Sequence, residues 1–206
     1  MSEKKTYVIG LTGQSGAGKT TVCGILRDIG FAVINADELS RQVTVSGGEC
    51  LRELAEVFGD GIITENGELD RRKLASLTFG DKKELKKLGV IIYPFINEAL
   101  IEEINKHKKA GERYILYDAP TLFESRADGL CDFIISVTAS EAKRAERIKK
   151  RDGVSDDEIK KRFESQHSEQ YFIKKSDLYI KNNKTEEDLA DKAREVADKI
   201  QKCFAD

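Results

Sequence analysis

A phosphate-binding pattern near the start of the chain constrains its fold more than any other feature. Residues 13–20 read G-Q-S-G-A-G-K-T, which fits G-x-x-x-x-G-K-[ST] at each fixed position. Because glycine lacks a Cβ atom, the backbone can approach an anion closely, and its successive N–H groups can form an anion-binding nest. Lys19 can reach the β- and γ-phosphates of a nucleotide, and the Thr20 hydroxyl is suited to bind Mg²⁺. We call residues 13–20 the phosphate loop.

Five apolar segments rich in Val, Ile, Tyr and Phe alternate with helical patterns along the chain. They are TYVIGLT (6–12), AVIN (32–35), RYILYD (113–118), DFIISVT (132–138) and LYIK (178–181). Such alternation indicates a parallel sheet with helices on both faces. The sequence therefore predicts an α/β fold, a five-stranded parallel sheet flanked by helices, with the phosphate loop between the first strand and the first helix.

The second and third predicted strands are unusually far apart. Residues 36–112 lie between them, far more than one crossover connection needs. Within this segment Leu51, Leu54, Ala55 and Phe58 follow the spacing of one helix face. The predicted parts are an inserted helical lobe at 45–109, a helical lid at 139–165, and a nucleotide-binding core formed by 1–44, 110–138 and 166–206.

Three helix starts are marked by the sequence. Thr138 with Glu141 and Ser155 with Glu158 both fit the capping box, in which a hydroxyl and a carboxylate three residues apart satisfy each other's backbone N–H. Thr185 precedes three acidic residues suited to a first helical turn. We expect a helix to begin at each of these points.

Composition excludes several classes of protein. The chain has 206 residues, of which 35% are charged, and a net charge of −2. A protein that binds nucleic acid through its overall charge would carry a net positive charge, so this class is excluded. No apolar run approaches the roughly 18 residues of a membrane span. The cysteines, Cys23, Cys50, Cys131 and Cys203, lie far apart and are typical of reduced thiols in the cytoplasm. We expect a cytoplasmic protein without nucleic-acid or membrane partners.

Acidic residues follow the second and third predicted strands, where open α/β sheets bind their ligands. Asp37 is a candidate base for a hydroxyl acceptor, but it could equally be the N-cap of the helix that follows. Asp118 ends an apolar strand and resembles a Walker B acid, although an ordinary strand-end Asp is also possible. Glu124 lies shortly beyond it and is expected in the same substrate crevice.

Arginines recur at helical spacing after the fourth predicted strand. Arg144, Arg147 and Arg151 are spaced to share one helix face, and Gly153 then interrupts the helix. Guanidinium groups match phosphate oxygens, and a closing lid requires such donors. The alternative is a solvated charged face, since acidic residues share this helix. Beside a phosphate loop, the lid is the favoured interpretation.

Seven segments together resemble the dephospho-coenzyme A kinase family in order and spacing. They are VINADELSRQV (33–43), LDRRKL (69–74), YPFI (93–96), DAPTLFE (118–124), RIKKRD (147–152), RFESQ (162–166) and SDLYIKNN (176–183). The resemblance implies a P-loop nucleoside-kinase-like core with a helical coenzyme-A-binding lobe and a lid. It also implies an enzyme that transfers phosphate from ATP, with Mg²⁺, to the 3′-hydroxyl of dephospho-coenzyme A.

The resemblance implies roles for individual residues. The catalytic residues would be Asp37, which activates the acceptor hydroxyl, with Lys19, Arg147 and Arg151 at the polyphosphate. The ATP-binding residues would be Gly13, Gln14, Ser15, Gly16, Ala17, Gly18, Lys19, Thr20, Thr21 and Asn182, with Thr20 also binding the metal. The acceptor-binding residues would be Asp37, Arg71, Arg72, Tyr93 and Glu124.

The chain departs from the family pattern at four positions. Tyr93 stands where the family usually has His, Thr121 where it usually has Leu, Asn35 where many members have Asp, and Lys184 where Gly is common. None of these is Lys19, Asp37 or a lid arginine. We therefore expect the reaction type to be kept, and Tyr93 to alter contacts in the acceptor lobe.

Two other functions are compatible with the phosphate loop. One is another small-metabolite kinase, such as a nucleoside monophosphate kinase, and the other is a nucleotide-dependent switch protein. The segments DAPTLFE and SDLYIKNN favour the dephospho-coenzyme A kinase assignment over a nucleoside monophosphate kinase. The sequence has no N-K-x-D motif of the kind that reads guanine in switch proteins. The expected partner is the small molecule dephospho-coenzyme A, and the expected state is a monomer or weak homo-oligomer.

Overall fold

The computed structural model describes residues 5–78 and 80–205. The chain divides into two compact units, one formed by Met1–Ile34 with Ile104–Asp206 and the other by Asn35–Glu103. The strands are β1 (Tyr7–Gly13), β2 (Ala32–Asn35), β3 (Tyr114–Asp118), β4 (Phe133–Thr138) and β5 (Leu178–Lys181). The α-helices are α1 (Lys19–Asp28), α2 (Ala36–Val43), α3 (Glu49–Phe58), α4 (Arg71–Thr78), α5 (Lys82–Lys109), α6 (Glu141–Asp152), α7 (Asp156–Glu164), α8 (Glu169–Lys175) and α9 (Glu186–Cys203).

The first unit is built on a five-stranded parallel sheet with the strand order β2-β3-β1-β4-β5. In the central strand, Leu11 is in register with Asp118 of β3 and with Ile135 of β4. Every residue of β1 is buried, which is why this strand reads as an almost continuous apolar run. The predicted fold class and all five predicted strands are confirmed.

The core of the first unit lies where α1 and α9 pack on the sheet. Val22 and Leu26 of α1 and Ala193 and Ile200 of α9 are fully buried in one cluster with the apolar residues of β1 and β4. Burying a valine, leucine or isoleucine side chain contributes about 1.5–3 kcal/mol before the entropy cost of ordering it. The core therefore fixes the start of α1, where the phosphate loop ends.

The second unit is largely helical. In α3 the residues spaced for one helix face, Leu51, Leu54 and Ala55, are buried, and so is Cys50. This confirms the helix predicted from their periodicity. Across residues 5–78 and 80–205, no helix is both long enough and apolar enough to cross a membrane.

Two of the three predicted helix starts are confirmed. Ser155 forms the capping box with Glu158 at the start of α7, and the Thr185 hydroxyl accepts from the Asp188 N–H at the start of α9. The box predicted at Thr138 is wrong. Thr138 is the last residue of β4, in register with Lys181 of β5, so sheet pairing extends the strand through it. The helix α6 has Ser140 as its N-cap, without a side-chain cap hydrogen bond.

Candidate active site

The phosphate loop has the backbone shape that an anion nest requires. Gly13, Gly16 and Gly18 have φ angles of 148°, 78° and 102°. A Cβ atom on Gly13 would lie 2.2 Å from the Val137 carbonyl oxygen, and one on Gly18 would lie 2.5 Å from Asn182 Nδ2. Glycine is therefore needed at these positions for two reasons: the backbone has positive φ, and neighbouring groups leave no room for a Cβ atom.

The loop runs directly into α1, whose first residue is Lys19. Lys19 forms an ion pair with Asp118, the last residue of β3, and the Asp118 side chain is only 7% exposed. Pairing with an ammonium group compensates a carboxylate for burial. The strand-end acid thus contacts the lysine of the phosphate loop, at the edge of the sheet where ligands are expected.

The Cys23 thiol lies beside this pair. Burial raises its pKa to about 11, with a further contribution from the negative charge of Asp118. The thiol is therefore protonated at neutral pH. Sequence analysis did not place Cys23 here, but its position one helical turn after Lys19 was available from the sequence.

Asn182 and Arg147 both donate hydrogen bonds to backbone carbonyls in the middle of the phosphate loop. Asn182 is buried, and its Nδ2 donates to the Ala17 carbonyl at 2.8 Å. Arg147 Nη1 donates to the Gly16 carbonyl at 3.4 Å, and its Nη2 donates to Asn182 Oδ1 at 3.2 Å. The structure thus brings two of the predicted site residues into direct contact with the loop backbone and with each other.

The other two arginines of α6 lie in different surroundings from Arg147. Arg144 is 6% exposed and its guanidinium carbon lies 4.0 Å from the Phe163 ring centroid. Burial lowers the pKa of Arg144. Arg151 Nε donates to Asp152 at 2.6 Å, and Arg162 of α7 donates to the same carboxylate at 2.6 Å. The sequence spacing predicted a shared helix face but not these separate partners.

The segment RFESQ (162–166) and the residue after it, to which the sequence assigned no role, also contact the loop. Gln166 Oε1 accepts from the Ser15 N–H at 3.1 Å, and the Gln14 side chain donates to the His167 carbonyl at 3.4 Å. His167 Nε2 lies 3.5 Å from Glu124 Oε1, which is where the structure places that predicted site residue. The motif RFESQ ends in Gln166, so the residue was visible in the sequence although its partner was not.

Thr20 and Thr21 follow Lys19 in the first turn of α1, and both are exposed. Among the residues that the structure describes, no group of three or more His, Cys, Asp or Glu could hold a metal by itself. A hydroxyl and a carboxylate nevertheless suit Mg²⁺, which prefers oxygen and is usually held by one or two protein groups together with substrate phosphates. The donors Thr20 and Asp118 fit such an ion.

In the second unit, Asn35 and not Asp37 is the N-cap of α2. Asn35 Oδ1 accepts from the Asp37 N–H at 2.8 Å and from the Glu38 N–H at 3.2 Å. The interpretation of Asp37 as an N-cap is therefore wrong. Asp37 is exposed at the second position of the helix, with its carboxylate free of the capping task.

The remaining predicted acceptor residues also lie in the second unit. Arg71, at the start of α4, donates from Nη2 to the Thr44 hydroxyl at 2.7 Å. Burial lowers the pKa of Arg71, and the positive charge of Arg41 adds to this effect. Arg72 is exposed and Tyr93 is half-buried in α5. A guanidinium beside a second cation can attract an anionic ligand strongly.

The chain matches a family model over most of its length. The model describes dephospho-CoA kinase and matches residues 7–188. A curated relative from Geobacillus kaustophilus, named dephospho-CoA kinase, is 34% identical over 183 residues, which cover 89% of this chain and 91% of the relative.

Two solved structures share the fold. One, from Thermus thermophilus, superposes with a TM-score of 0.78 at 29% identity and covers 95% of this chain and 98% of its own. The other, a dephospho-CoA kinase from Campylobacter jejuni, superposes with a TM-score of 0.69 at 24% identity and covers 95% and 97%. At that identity the second likeness supports the fold alone.

Proposed function

The chain belongs to the dephospho-CoA kinase family, and we propose that it transfers the γ-phosphate of ATP to the 3′-hydroxyl of the ribose of dephospho-coenzyme A. The products are coenzyme A and ADP, and the reaction is the last step of coenzyme A synthesis. The observation that carries the proposal is the phosphate loop with Lys19 at its end, next to a buried carboxylate. Phosphoryl transfer needs little covalent chemistry from the protein, so this machinery for positioning and charge is the expected kind.

ATP is proposed to bind with its phosphates in the loop. The N–H groups of the loop and the N-terminal end of α1 supply partial positive charge, and Lys19 supplies a full one. Lys19 would exchange part of its contact with Asp118 for phosphate oxygens. Asn182, which is fixed against Ala17, is proposed to lie beside the adenine.

Mg²⁺ is proposed to be held by Thr20, with Asp118 as the nearby carboxylate. When bound, the ion neutralises developing charge on the phosphates. Asp118 also holds Lys19 ready at the loop, so the same carboxylate serves both cations.

The arginines of α6 are proposed to stabilise the transferred group. Arg147 already lies at the loop, whereas Arg151 is engaged with Asp152 and would have to change partner. We propose that residues 139–165 form a lid that closes over the nucleotide and excludes water, which would otherwise compete as the acceptor.

The acceptor is proposed to bind through residues of the helical lobe at 45–109 and its neighbours. Asp37 would accept a hydrogen bond from the ribose 3′-hydroxyl and take its proton. Arg71 and Arg72 would bind the anionic part of the coenzyme A moiety, and Tyr93 and Glu124 are proposed as further acceptor-binding residues. Asp37 is suited to this role because its carboxylate does not cap α2.

An acceptor panel tests the proposal. Purified protein with MgATP is mixed separately with dephospho-coenzyme A, its 3′-deoxy analogue, AMP, CMP and buffer. We expect ADP and a product heavier by one phosphate with dephospho-coenzyme A alone, with the new phosphate on the 3′ position by ³¹P NMR. Phosphorylation of AMP or CMP instead would identify a nucleotide kinase. Slow ADP release independent of acceptor would identify a switch protein, and either result would overturn the proposal.

A further inference from the structure

The segment between α7 and α8 (residues 165–168) forms two hydrogen bonds with the phosphate loop. Gln166 accepts a hydrogen bond from the Ser15 backbone through its side chain, at 3.1 Å. In return, the Gln14 side chain of the loop donates to the backbone carbonyl of His167, at 3.4 Å. Two consecutive residues of the loop are thus joined to two consecutive residues of the segment.

This segment is also packed against α8. The His167 ring stacks on Tyr171 of α8 with ring centroids 3.8 Å apart and an interplanar angle of 15°. Tyr171 in turn meets the edge of the buried Phe123 ring at 5.6 Å. Aromatic contacts of this kind add to the free energy of burial. The residue next to Gln166 is therefore held in place by ring contacts with α8.

Gln166 lies two residues after the end of α7, with the C-cap Ser165 between them, and α7 contacts α6. The two helices, which we call the α6–α7 pair (residues 141–164), are connected by Asp152, which ends α6 and contacts the last turn of α7. This carboxylate accepts from Arg151 of α6 and from Arg162 of α7. A displacement of the pair would therefore act on Gln166 through a short stretch of backbone.

Ser15 is part of the phosphate loop, and its N–H donates to Gln166. The direction of this N–H depends on its hydrogen-bond partner, because Ser15 lies in a turn between Gly13 and Gly16. The neighbouring Gln14 N–H donates to Val137 at 3.2 Å, so the loop is tied to β4 just before Ser15. The hydrogen bond from Ser15 to Gln166 fixes the loop at the next residue.

From these contacts we infer that Gln166 is a positioning residue, which holds the Ser15 N–H so that the phosphate loop is shaped before nucleotide binds and which links the α6–α7 pair to the loop. It acts through the loop and does not need to touch the reacting atoms. The link makes the shape of the loop depend on the state of the lid. This deepens the proposed function, and it rests on that function only in so far as the loop binds a nucleotide.

Gln166→Ala, with Gln166→Glu as the rescue variant and Gln170→Ala as the control, tests the positioning role. Gln166→Glu keeps an acceptor oxygen, and Gln170 is an exposed residue of the same type in α8. We expect Gln166→Ala to accelerate hydrogen exchange at the Ser15 amide in the ligand-free protein, followed by NMR, and to weaken MgADP binding roughly 5–10-fold by calorimetry, the scale of one lost hydrogen bond. Gln166→Glu should restore the protection of Ser15, and Gln170→Ala should change neither quantity.

Faster exchange at Ser15 with unchanged exchange in β1 and β4 distinguishes positioning from general destabilisation. Unchanged exchange and unchanged MgADP affinity in Gln166→Ala would overturn the inference. So would a uniform acceleration of exchange across the sheet. Neither measurement uses the acceptor, so a failure of the acceptor panel and a failure of this test are separate results.

A double-mutant cycle tests the link to the α6–α7 pair. Asp152→Asn removes the charged acceptor between Arg151 and Arg162. We expect it to accelerate Ser15 exchange when Gln166 is present and to have no further effect in the Gln166→Ala background. Equal effects of Asp152→Asn in both backgrounds, or no effect in either, would overturn the link.

Discussion

Lys19 and Asp118 neutralise each other at the point where the first helix of the sheet unit begins and its third strand ends. Both side chains are mostly shielded from water, with 16% and 7% of their surfaces exposed. The pair places the Lys19 ammonium at the end of the phosphate loop and leaves no unpaired carboxylate buried there. Binding a polyphosphate and Mg²⁺ would supply a second anion and a second cation, so both partners keep a counter-charge when ligands arrive.

Lys19→Ala should therefore affect rate and stability together. We expect kcat/KM to fall on the order of 10²–10³-fold, because a charged donor to the phosphates is lost. We also expect a loss of about 1–3 kcal/mol in the free energy of unfolding, since Asp118 is left buried without its partner. Steady-state kinetics and urea unfolding measure the two effects.

The double variant Lys19→Ala with Asp118→Asn separates these effects. Removing the charge of Asp118 should recover most of the stability and none of the rate. Wild-type turnover in Lys19→Ala would contradict the assignment of the loop. A double variant no more stable than the single one would show that the pair does not stabilise the fold.

Gly18→Ala and Gly24→Ala form a matched pair on either side of the start of α1. A Cβ atom at Gly18 would lie 2.5 Å from Asn182 Nδ2 on a residue with positive φ, whereas one at Gly24 meets no atom within 4 Å. We expect Gly18→Ala to destabilise the protein by at least about 1–2 kcal/mol and to weaken MgADP binding. Gly24→Ala should stabilise it by about 0.5–1 kcal/mol, because alanine favours a helix interior. Equal effects from urea unfolding would contradict the steric account.

The thiols should differ in their reaction with iodoacetamide. The thiolate is the reactive form, and the pKa of Cys23 is raised to about 11 by burial and by Asp118, so only about one molecule in a thousand carries it at pH 8. Cys131, whose pKa burial raises to about 12, should react more slowly still. We expect the exposed Cys203 to be labelled first, without loss of activity.

Labelling of Cys23 should rise about tenfold per pH unit below its pKa and should abolish activity, because the added group lies beside Lys19 and Asp118. Peptide mass spectrometry of the Cys203→Ser variant measures the labelling of Cys23 without the competing thiol, and activity is assayed on the same samples. Labelling of Cys23 at pH 8 as fast as that of Cys203 would contradict the protonated state.

Local patterns in the sequence predicted most of the fold. The three central strands, β3, β1 and β4, follow from apolar segments that are mostly buried on both faces of the sheet, whereas the edge strands β2 and β5 are partly exposed. The Ser155 capping box needs only four residues. The box at Thr138 failed because Thr138 is still part of β4 and its hydroxyl donates to Glu169, so α6 begins two residues later than predicted, with Ser140 as its N-cap. The boundaries of the lobe at 45–109 and of the lid at 139–165 stay predictions.

The candidate site was predictable where a motif holds it and not where distant segments meet. The loop, Lys19 and Asn182 were identified from their motifs. The partner of Gln166 was not, because the hydrogen bond to Ser15 joins residues 151 positions apart. The cap of α2 was missed for a different reason. Asn and Asp both cap helices, so the choice between Asn35 and Asp37 depends on the residue at which β2 ends.

Arg71→Ala should weaken acceptor binding and spare the nucleotide. Its guanidinium contacts Thr44, whose hydroxyl also donates to the Ser40 carbonyl at 2.6 Å, so the helix keeps a partner for that hydroxyl when Arg71 is removed. We expect dephospho-coenzyme A to bind roughly 10–100-fold more weakly, the scale of a charge-assisted contact, with MgADP affinity unchanged. Calorimetry with each ligand measures this, and Arg52→Ala on α3 is the control. An equal loss for both ligands would assign Arg71 to the fold.

Asp37→Asn should lower kcat without lowering stability. Asn35 already caps α2 through hydrogen bonds from the N–H groups of Asp37 and Glu38, so the Asp37 carboxylate has no capping contact to lose. Asparagine has nearly the same shape but cannot take a proton from the acceptor hydroxyl. A positioned base contributes about 10²–10⁴-fold, and we expect a fall of that order in kcat with ATP affinity unchanged.

Three variants at two neighbouring residues make this prediction specific to Asp37. Glu38→Gln removes an equal charge from the same exposed first turn and should leave kcat unchanged. Asn35→Ala removes the cap and should cost about 1 kcal/mol of stability, while Asn35→Asp should keep it. Thermal melting and steady-state kinetics on all four variants give a direct comparison. Near-normal kcat in a stable Asp37→Asn protein, or an equal fall in Glu38→Gln, would remove Asp37 from the catalytic role and make Asp118 the next carboxylate to test.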